Sequence, residues 1–306
     1  MNEVFDTIIV GAGAAGLTAG IYASRAKLNT LILNEGAIGG QMVLTDEIAN
    51  YPGVPTTKGY MLAANMKNQA KSFGCKIKTN VKIVKYSLEE DVKSIELNDG
   101  RVFQGRSVIL TPGGRPRSLN IEGEDEFKGK GISYCATCDG DFFTGKEVVV
   151  VGGGNSALEE AVALTTYATK VTIVHQFGQF QAFQHAIEEA QKNPKINFIM
   201  ESELRGFYGN GQLEKVTIEH LPGKKVSELK TDGTFIFIGY QPNTEDLQGV
   251  VELNSRNEIV VDTDMKTKIK GVFAAGDCIN KRYRQVTTAV ADGTIAALSA
   301  SEYLRG

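Results

Sequence analysis

Two cysteines three positions apart, Cys135-Ala-Thr-Cys138, followed at once by Asp139, are the residues of this sequence best placed for chemistry. The spacing lets a disulfide close and reopen over one turn with little rearrangement. A helix opening at the pair would add unpaired N–H groups and its dipole to stabilise a thiolate. One sulfur can then attack a partner's disulfide while the other resolves the product. Zinc is the other use of such a pair, but a structural zinc takes four ligands. Cys75 and Cys278 are isolated, and His175, His185 and His220 lack finger-like spacing, so no metal is expected. Four cysteines in 306 residues do not make a disulfide framework. In a reducing compartment such a pair is catalytic or metal-binding more often than structural, and redox catalysis is the expectation. Cys75, after a helix-ending Gly74, reads as packing.

The elements that must position this pair announce themselves through glycine. Thr7-Ile-Ile-Val10 reads as a buried strand, Gly11-Ala-Gly13-Ala-Ala-Gly16 as a loop, and Leu17 to Ala26 as a helix. A second strand runs from Thr30 to Leu33 and ends near Glu35. Strand, G-x-G-x-x-G, helix, strand and acid come in the order of a dinucleotide-binding unit. Gly11 permits the tight turn, Gly13 lets a pyrophosphate approach the backbone, and Gly16 lets helix and strand pack closely. Glu35 is placed to accept from a ribose hydroxyl. The pattern returns at Glu147–Val151, Gly152-Gly-Gly154-Asn-Ser-Ala157, a helix from Leu158 to Tyr167 and a strand from Lys170 to Val174. The cysteine pair stands just ahead of this second unit.

Length and composition agree with two domains, each able to bury its own core. The chain is 42% hydrophobic and 23% charged, and its net charge of -3 gives no global pull toward nucleic acid or anionic lipid. The acidic start, Met1 to Asp6, leads into a strand and not into a signal peptide, and no apolar stretch is long enough to span a bilayer. The expectation is a soluble, cytoplasmic protein.

Over essentially its whole length the chain resembles the low-molecular-weight flavin thioredoxin reductases. The stretches that carry the likeness are Gly11–Gly16, Gly39-Gly-Gln-Met42, Asn50-Tyr-Pro-Gly53, Cys135-Ala-Thr-Cys-Asp-Gly140, Gly152–Ala157, Gly239-Tyr-Gln-Pro-Asn243, and Phe273-Ala-Ala-Gly-Asp277 with Arg284-Gln285. The resemblance implies an α/β fold of two Rossmann-like, three-layer ββα dinucleotide-binding domains. Residues 1–114 and 246–306 would form a discontinuous FAD domain, and 115–245 a redox-disulfide domain with a degenerate NAD(P)H-binding fold. The turn-rich stretches Pro112–Pro116 and Gln241–Asn243 suit two such crossings. The same resemblance implies FAD contacts from Gly11, Gly13, Ala14, Ala15, Gly16, Glu35, Gly40, Gln41, Asn50, Gly276, Asp277, Arg284, Gln285 and Val286. It assigns Gly276-Asp277 to the ribityl–phosphate part of the cofactor. Gln285, at the start of a helix from Val286 to Ala300, is set near the flavin ring. It makes Cys138 the sulfur that faces the flavin, Cys135 the one that attacks thioredoxin, and Asp139 the proton donor and acceptor of the dithiol. Cys278, after Asp277, reads as a small residue near the cofactor without a redox role. The resemblance also implies a homodimer.

One departure from the family pattern carries information. NADPH-dependent members have His-Arg-Arg and a further Arg after the second strand, to hold the 2′-phosphate. The matching positions here are Gln176, Phe177 and Gln181, behind His175, and no acid has appeared that would favour NADH. Losing one bidentate Arg–phosphate contact costs on the order of 2 kcal/mol, and three losses make NADPH a poor ligand. The chain is therefore most similar to the ferredoxin-dependent, pyridine-nucleotide-independent branch of the family, with ferredoxin as donor and thioredoxin as acceptor. Other readings are a reductase using NADPH or NADH through an altered pocket and a non-catalytic flavin redox sensor. A ferredoxin–NADP reductase of similar fold lacks the cysteine pair, and a peroxide-reductase subunit would need an added N-terminal thioredoxin-like module. The basic run Lys281-Arg-Tyr-Arg284 reads as a solvated loop or a docking point for an acidic ferredoxin, and Lys128 and Lys130 share that ambiguity.

Overall fold

A computed structural model of the chain describes residues 3–45 and 47–306. Met1 and Asn2, the first residues of the acidic stretch read above as leading into a strand, lie outside the described residues. The chain divides into two compact units, Met1–Arg115 with Gln241–Gly306, and Pro116–Tyr240. The chain passes between them in two short strands, Gly114–Pro116 (β7) and Tyr240–Pro242 (β16).

The first unit contains β1 (Val4–Val10), α1 (Ala14–Arg25), β2 (Thr30–Asn34), α2 (Gly59–Ser72), β3 (Lys76–Thr79), β4 (Ile83–Ser87), β5 (Lys93–Leu97) and β6 (Val102–Leu110). The returning segment adds β17 (Val272–Ala274) and α7 (Val286–Arg305). The sheet order is β3-β2-β1-β6-β5-β4, with β17 beside β6. β3, β2, β1, β6 and β17 are parallel neighbours, while β5 and β4 turn back antiparallel. One edge of β6 is shared: its start pairs with β5 and its end, Val108–Leu110, with β17. Parallel strands covered on both faces read as unbroken apolar runs, and Ile8, Ile9, Leu31, Ile32, Leu33, Val108 and Ile109 are fully buried. Ile9, Ile32, Ile109 and Phe273 meet α1, α2 and α7 on one face. Ile8, Leu31, Leu33 and Val108 meet a second core on the other.

The second unit contains α3 (Glu124–Phe127), β8 (Ile132–Ser133), α4 (Ala136–Asp139), β9 (Glu147–Val151), α5 (Asn155–Leu164), β10 (Lys170–Val174), α6 (Gln184–Lys192), β11 (Ile196–Ile199), β12 (Ser202–Gly209), β13 (Leu213–His220), β14 (Lys225–Lys230) and β15 (Gly233–Ile236). Five parallel strands run in the order β11-β10-β9-β15-β8, and β12-β13-β14 form an antiparallel layer of their own. Both units thus have the layered α/β architecture expected of a dinucleotide fold.

Helix boundaries differ from the sequence reading. α1 starts at Ala14 and α5 at Asn155, each three residues ahead of the expected start, because the helix begins inside the glycine motif. α7 runs past Ala300 to Arg305, carried by its small-residue face of Ala289, Gly293, Ala296, Ala297 and Ala300. Among the described residues no helix is long and apolar enough to cross a membrane.

Candidate functional site: a glycine cradle and a redox disulfide

In the first unit the loop between β1 and α1 is built around two glycines that cannot be replaced and one that can. Gly11 has φ of +102°, which L side chains rarely adopt, and a Cβ there would lie 2.2 Å from the Thr111 carbonyl oxygen. At Gly16 a Cβ would fall 2.0 Å from the Gly11 oxygen. Above Gly13 nothing lies within 4 Å of that position, so its place in the motif is an open space and not a packing constraint. Gly13 also caps α1 without any side-chain hydrogen bond, and the first turn, with Ala14 and Ala15, carries no acid. Its N–H groups are thus left for an anion.

Of the other predicted residues, Gly40 and Gly276 meet this loop, and the rest are held by partners of their own. Gly40 lies against Gly13, its would-be Cβ 3.3 Å from the Gly13 Cα, and the Gly39 N–H donates to the Ala12 oxygen at 2.8 Å. Gly276 has φ of +86° and faces Ala15, whose Cβ is 2.8 Å from where its own would be. The Asn50 Nδ2 donates to Gln285 Oε1 at 3.4 Å. Gln285 caps α7, closing a capping box with Thr288 just ahead of Val286. Arg284 reaches back to the Asp277 carbonyl at 3.4 Å and pairs with the buried carboxylate of Glu258. Gln41 is exposed in a 3-10 turn, Gly40–Leu44. Glu35 is exposed beyond β2 and already accepts the Ile83 N–H at 2.9 Å, which fixes its carboxylate while leaving further acceptor capacity.

The residues fit a flavin dinucleotide: open space above Gly13, uncapped helix N–H groups, and two further segments converging on the same loop. Sequence reasoning missed three supports of this cradle. Asn34 holds the loop through the Ala12 N–H at 2.9 Å. Asp292 on α7 accepts from the Gly276 N–H at 3.2 Å and from Lys281 Nζ at 2.6 Å. Glu258 takes Arg284. An acid in the small-residue stretch of α7 was a signal for the second; nothing marked the others.

That pairing also corrects the reading of Lys281-Arg-Tyr-Arg284 as a solvated or docking run. Lys281 lies between Asp292 and Asp277, the latter at 3.8 Å, and its side chain is only 11% exposed. With Arg284 on Glu258, two of the three cations face inward, and Arg282 and Tyr283 are the exposed pair. Lys128 lies 5.0 Å over the Tyr134 ring.

In the second unit Cys135 and Cys138 are joined as a disulfide, their Cα atoms 5.3 Å apart. The pair does open a helix, but one of a single turn: Cys135 is the N-cap of α4, and its sulfur accepts the Cys138 N–H at 3.2 Å. Both cysteines are half-buried. Asp139 follows, with its carboxyl raised above the ordinary carboxylate range. Burial is the main cause, opposed by a hydrogen bond from Ser133 and reinforced by the charge of Asp141. Ser133 is a further residue missed: its Oγ lies 2.6 Å from Asp139 Oδ2 and accepts the Cys135 N–H at 3.1 Å. A hydroxyl two residues ahead of the first cysteine was its only trace in the sequence. Such a site can exchange disulfides and hold a proton beside them. Cys75 and Cys278 are buried, and burial pushes their thiols up to about 11 and about 12, so both are inert.

The second glycine loop keeps its backbone but not its anion ligands. Gly152 has φ of +139°, and Gly154 caps α5 with no side-chain bond. The segment after β10 folds back over the loop: the Gln181 N–H donates to the Gly153 oxygen at 2.8 Å, and the Phe183 N–H to Asn155 Oδ1 at 2.7 Å. His175 is buried against Gly153 and stacks on Phe180, with Nε2 3.2 Å from the Gln179 oxygen. Burial lowers its pKa. Gln176, Phe177 and Gln181 are exposed, and the stretch 175–183 contains no Arg or Lys.

Residues 5–293 match the family model described as pyridine nucleotide-disulphide oxidoreductase. Among curated proteins, a "34.2 kDa protein in rubredoxin operon" of Clostridium pasteurianum is 45% identical, covering 100% of this chain and 99% of that one. A thioredoxin reductase of Peptoclostridium acidaminophilum is 43% identical over 99% of this chain and 98% of its own. Among solved structures, thioredoxin reductase from Streptococcus pyogenes superposes with a TM-score of 0.95 at 38% identity, covering 100% of this chain and 99% of that one.

Proposed function

The chain belongs to the pyridine nucleotide-disulphide oxidoreductase family, among the thioredoxin reductases, and from that premise we propose that it passes electrons from reduced ferredoxin to oxidised thioredoxin. Its cofactor is FAD. The residues proposed to hold it are those of the cradle: Gly11, Gly13, Ala14, Ala15, Gly16, Glu35, Gly40, Gln41, Asn50, Gly276, Asp277, Arg284, Gln285 and Val286. When bound, FAD supplies a two-electron store that can be filled one electron at a time.

The chain's own part in the reaction is disulfide exchange. Once the Cys135–Cys138 bond has been reduced to a dithiol, Cys135 gives up its proton and, as thiolate, attacks one sulfur of the partner's disulfide; that S–S bond breaks, and the departing sulfur takes up that proton. Cys138 then loses its proton and attacks the Cys135 sulfur, which re-forms the Cys135–Cys138 bond and frees the partner as a dithiol. Two electrons and two protons have passed to the partner. Asp139, adjoining Cys138 and with a raised pKa, serves as the acid and base that carries the proton.

The observation that supports ferredoxin over NADPH is the absence of any cation from residues 175–183, where the exposed Gln176, Phe177 and Gln181 stand. Direction is favourable: a plant-type ferredoxin lies near about −400 mV and thioredoxin near about −270 mV, which for two electrons releases roughly 6 kcal/mol. The intact Gly152–Ala157 loop with its uncapped helix favours the second reading, a reductase that still takes NADPH or NADH. Anaerobic flavin absorbance decides between them. NADPH, NADH and then reduced ferredoxin are added in turn with oxidised thioredoxin present. Bleaching and turnover with ferredoxin alone support the proposal; rapid reduction by micromolar NADPH overturns the donor assignment. A homodimer is proposed on the family resemblance and is checked by light scattering.

A further inference from the structure

Ser133 ties together the two ends of the cysteine turn. It closes β8, where it stands in register with Phe235 of β15, and it is buried. Its Oγ carries one hydrogen and two acceptor sites. The acceptor side takes the Cys135 N–H at 3.1 Å. On the donor side Asp139 Oδ2 lies at 2.6 Å and the Cys135 carbonyl at 3.3 Å, so the carboxylate is the better-placed acceptor. α4 completes the ring, since the Asp139 N–H donates to the Cys135 oxygen at 3.1 Å. A sheet residue thus fixes both the backbone of the first cysteine and the side chain of the acid.

We propose that Ser133 is a positioning residue for proton transfer at the disulfide, holding Asp139 by a hydrogen bond that favours its ionised form. This rests on the reading of Asp139 as the acid and base of the exchange. The other groups about Asp139 are few. Asp141, in the 3-10 turn that follows, repels its charge. The acids of α5, the helix packed on α4, are Glu159 and Glu160, and neither is among the groups that act on Asp139. Tyr167 offers ring atoms to Gly140. Among these neighbours Ser133 is the donor to the Asp139 carboxylate. Without that bond the neutral acid is favoured further, and Asp139 keeps its proton to higher pH.

The test uses FAD-loaded enzyme, reduced anaerobically with one equivalent of dithionite beyond the flavin and mixed with oxidised thioredoxin. The single-turnover rate is read by rapid quench and thiol alkylation across pH. A step that needs protonated Asp139 gives a limb that falls as pH rises. In Ser133→Ala that limb moves up by about one pH unit, a tenfold gain in proton affinity. Ser133→Thr, which keeps the hydroxyl, stays with wild type, while its isostere Ser133→Val moves with Ala. If Ala and Val lower the rate equally at every pH and leave the limb in place, Ser133 is only structural and the proposal fails. Asp139→Asn separates the two claims. Loss of the limb upholds the acid role on which the proposal rests. A limb that persists in Asp139→Asn overturns the acid role itself, and the Ser133 proposal with it.

Discussion

Asp292 on α7 and Lys281 on the preceding loop form an ion pair of 2.6 Å whose side chains are only 14% and 11% exposed. The same Asp292 oxygen accepts the Gly276 N–H, so this one carboxylate shapes the turn beside Ala15 that belongs to the proposed flavin cradle.

The pair is partly buried and Lys281 keeps Asp277 at 3.8 Å when Asp292 is removed, so the loss should fall below the about 3–5 kcal/mol of a fully buried pair that loses one partner. Asp292→Ala should therefore lower the thermal midpoint and also weaken FAD binding, because the Gly276 turn loses its acceptor. Asp292→Asn retains an acceptor and should lose less. Thermal unfolding of the apoprotein together with FAD titration by fluorescence quenching measures both effects. An unchanged FAD affinity in Asp292→Ala would show that the pair serves stability alone.

Gly13 and Gly16 should respond to alanine in opposite ways. Gly16→Ala drives a methyl to 2.0 Å from a backbone oxygen and should destabilise the apoprotein by several kcal/mol, in the upper range for single substitutions. Gly13→Ala meets nothing within 4 Å, so the apoprotein should keep its melting temperature while the methyl fills the space a pyrophosphate needs. Apo melting curves and bound-flavin content distinguish the two. A flavin-replete Gly13→Ala would show that the open space is not the cofactor's.

Restoring the missing cations tests the electron donor directly. Gln176, Phe177 and Gln181 are exposed, so Gln176→Arg, Phe177→Arg and Gln181→Arg should be tolerated together. Flavin reduction by NADPH should rise by about tenfold or more per phosphate contact regained, with NADH little changed. Stopped-flow absorbance of the oxidised flavin gives the rates. A triple variant no faster with NADPH would locate the barrier elsewhere than in the phosphate pocket.

Asp139 links folding to pH. Its raised folded pKa means that the folded state binds the proton more tightly than the unfolded state does. Its contribution to stability is fully present below the unfolded carboxyl pKa and is lost as pH rises through the folded one. Asp139→Asn, permanently uncharged, should therefore be more stable than wild type near neutrality, with the gap closing as pH falls. Its disulfide exchange should nonetheless drop by roughly 10²–10⁴-fold, the usual contribution of a general acid. Chemical denaturation at several pH values gives the first quantity and thioredoxin reduction the second. Equal stability at all pH would mean that Asp139 titrates as a solvated carboxyl.

The fold was legible because its determinants are local. An apolar strand, a glycine at positive φ and a helix that can begin only inside the motif appear in order along the chain, and each occurs twice. The cysteine turn was legible for the same reason, since Cys135, Cys138 and Asp139 lie within five residues. Even the break in the nicotinamide pattern could be read, because the missing arginines belong to one short segment after a recognisable strand.

What the sequence could not show is which distant residues hold these pieces. Lys281 and Arg284 looked like part of a basic surface run; folding turned them toward Asp292 and Glu258, where partial burial favours pairing. Ser133 was an unremarked strand end until β8 brought its hydroxyl to Asp139 and Cys135 together. Residue type and spacing determined the chemistry available to this protein. Only the packed tertiary structure decided which charges turn inward, which hydroxyl reaches the acid, and which glycine has open space above it. Those properties depend on what lies within a few ångströms, not on what lies next along the chain.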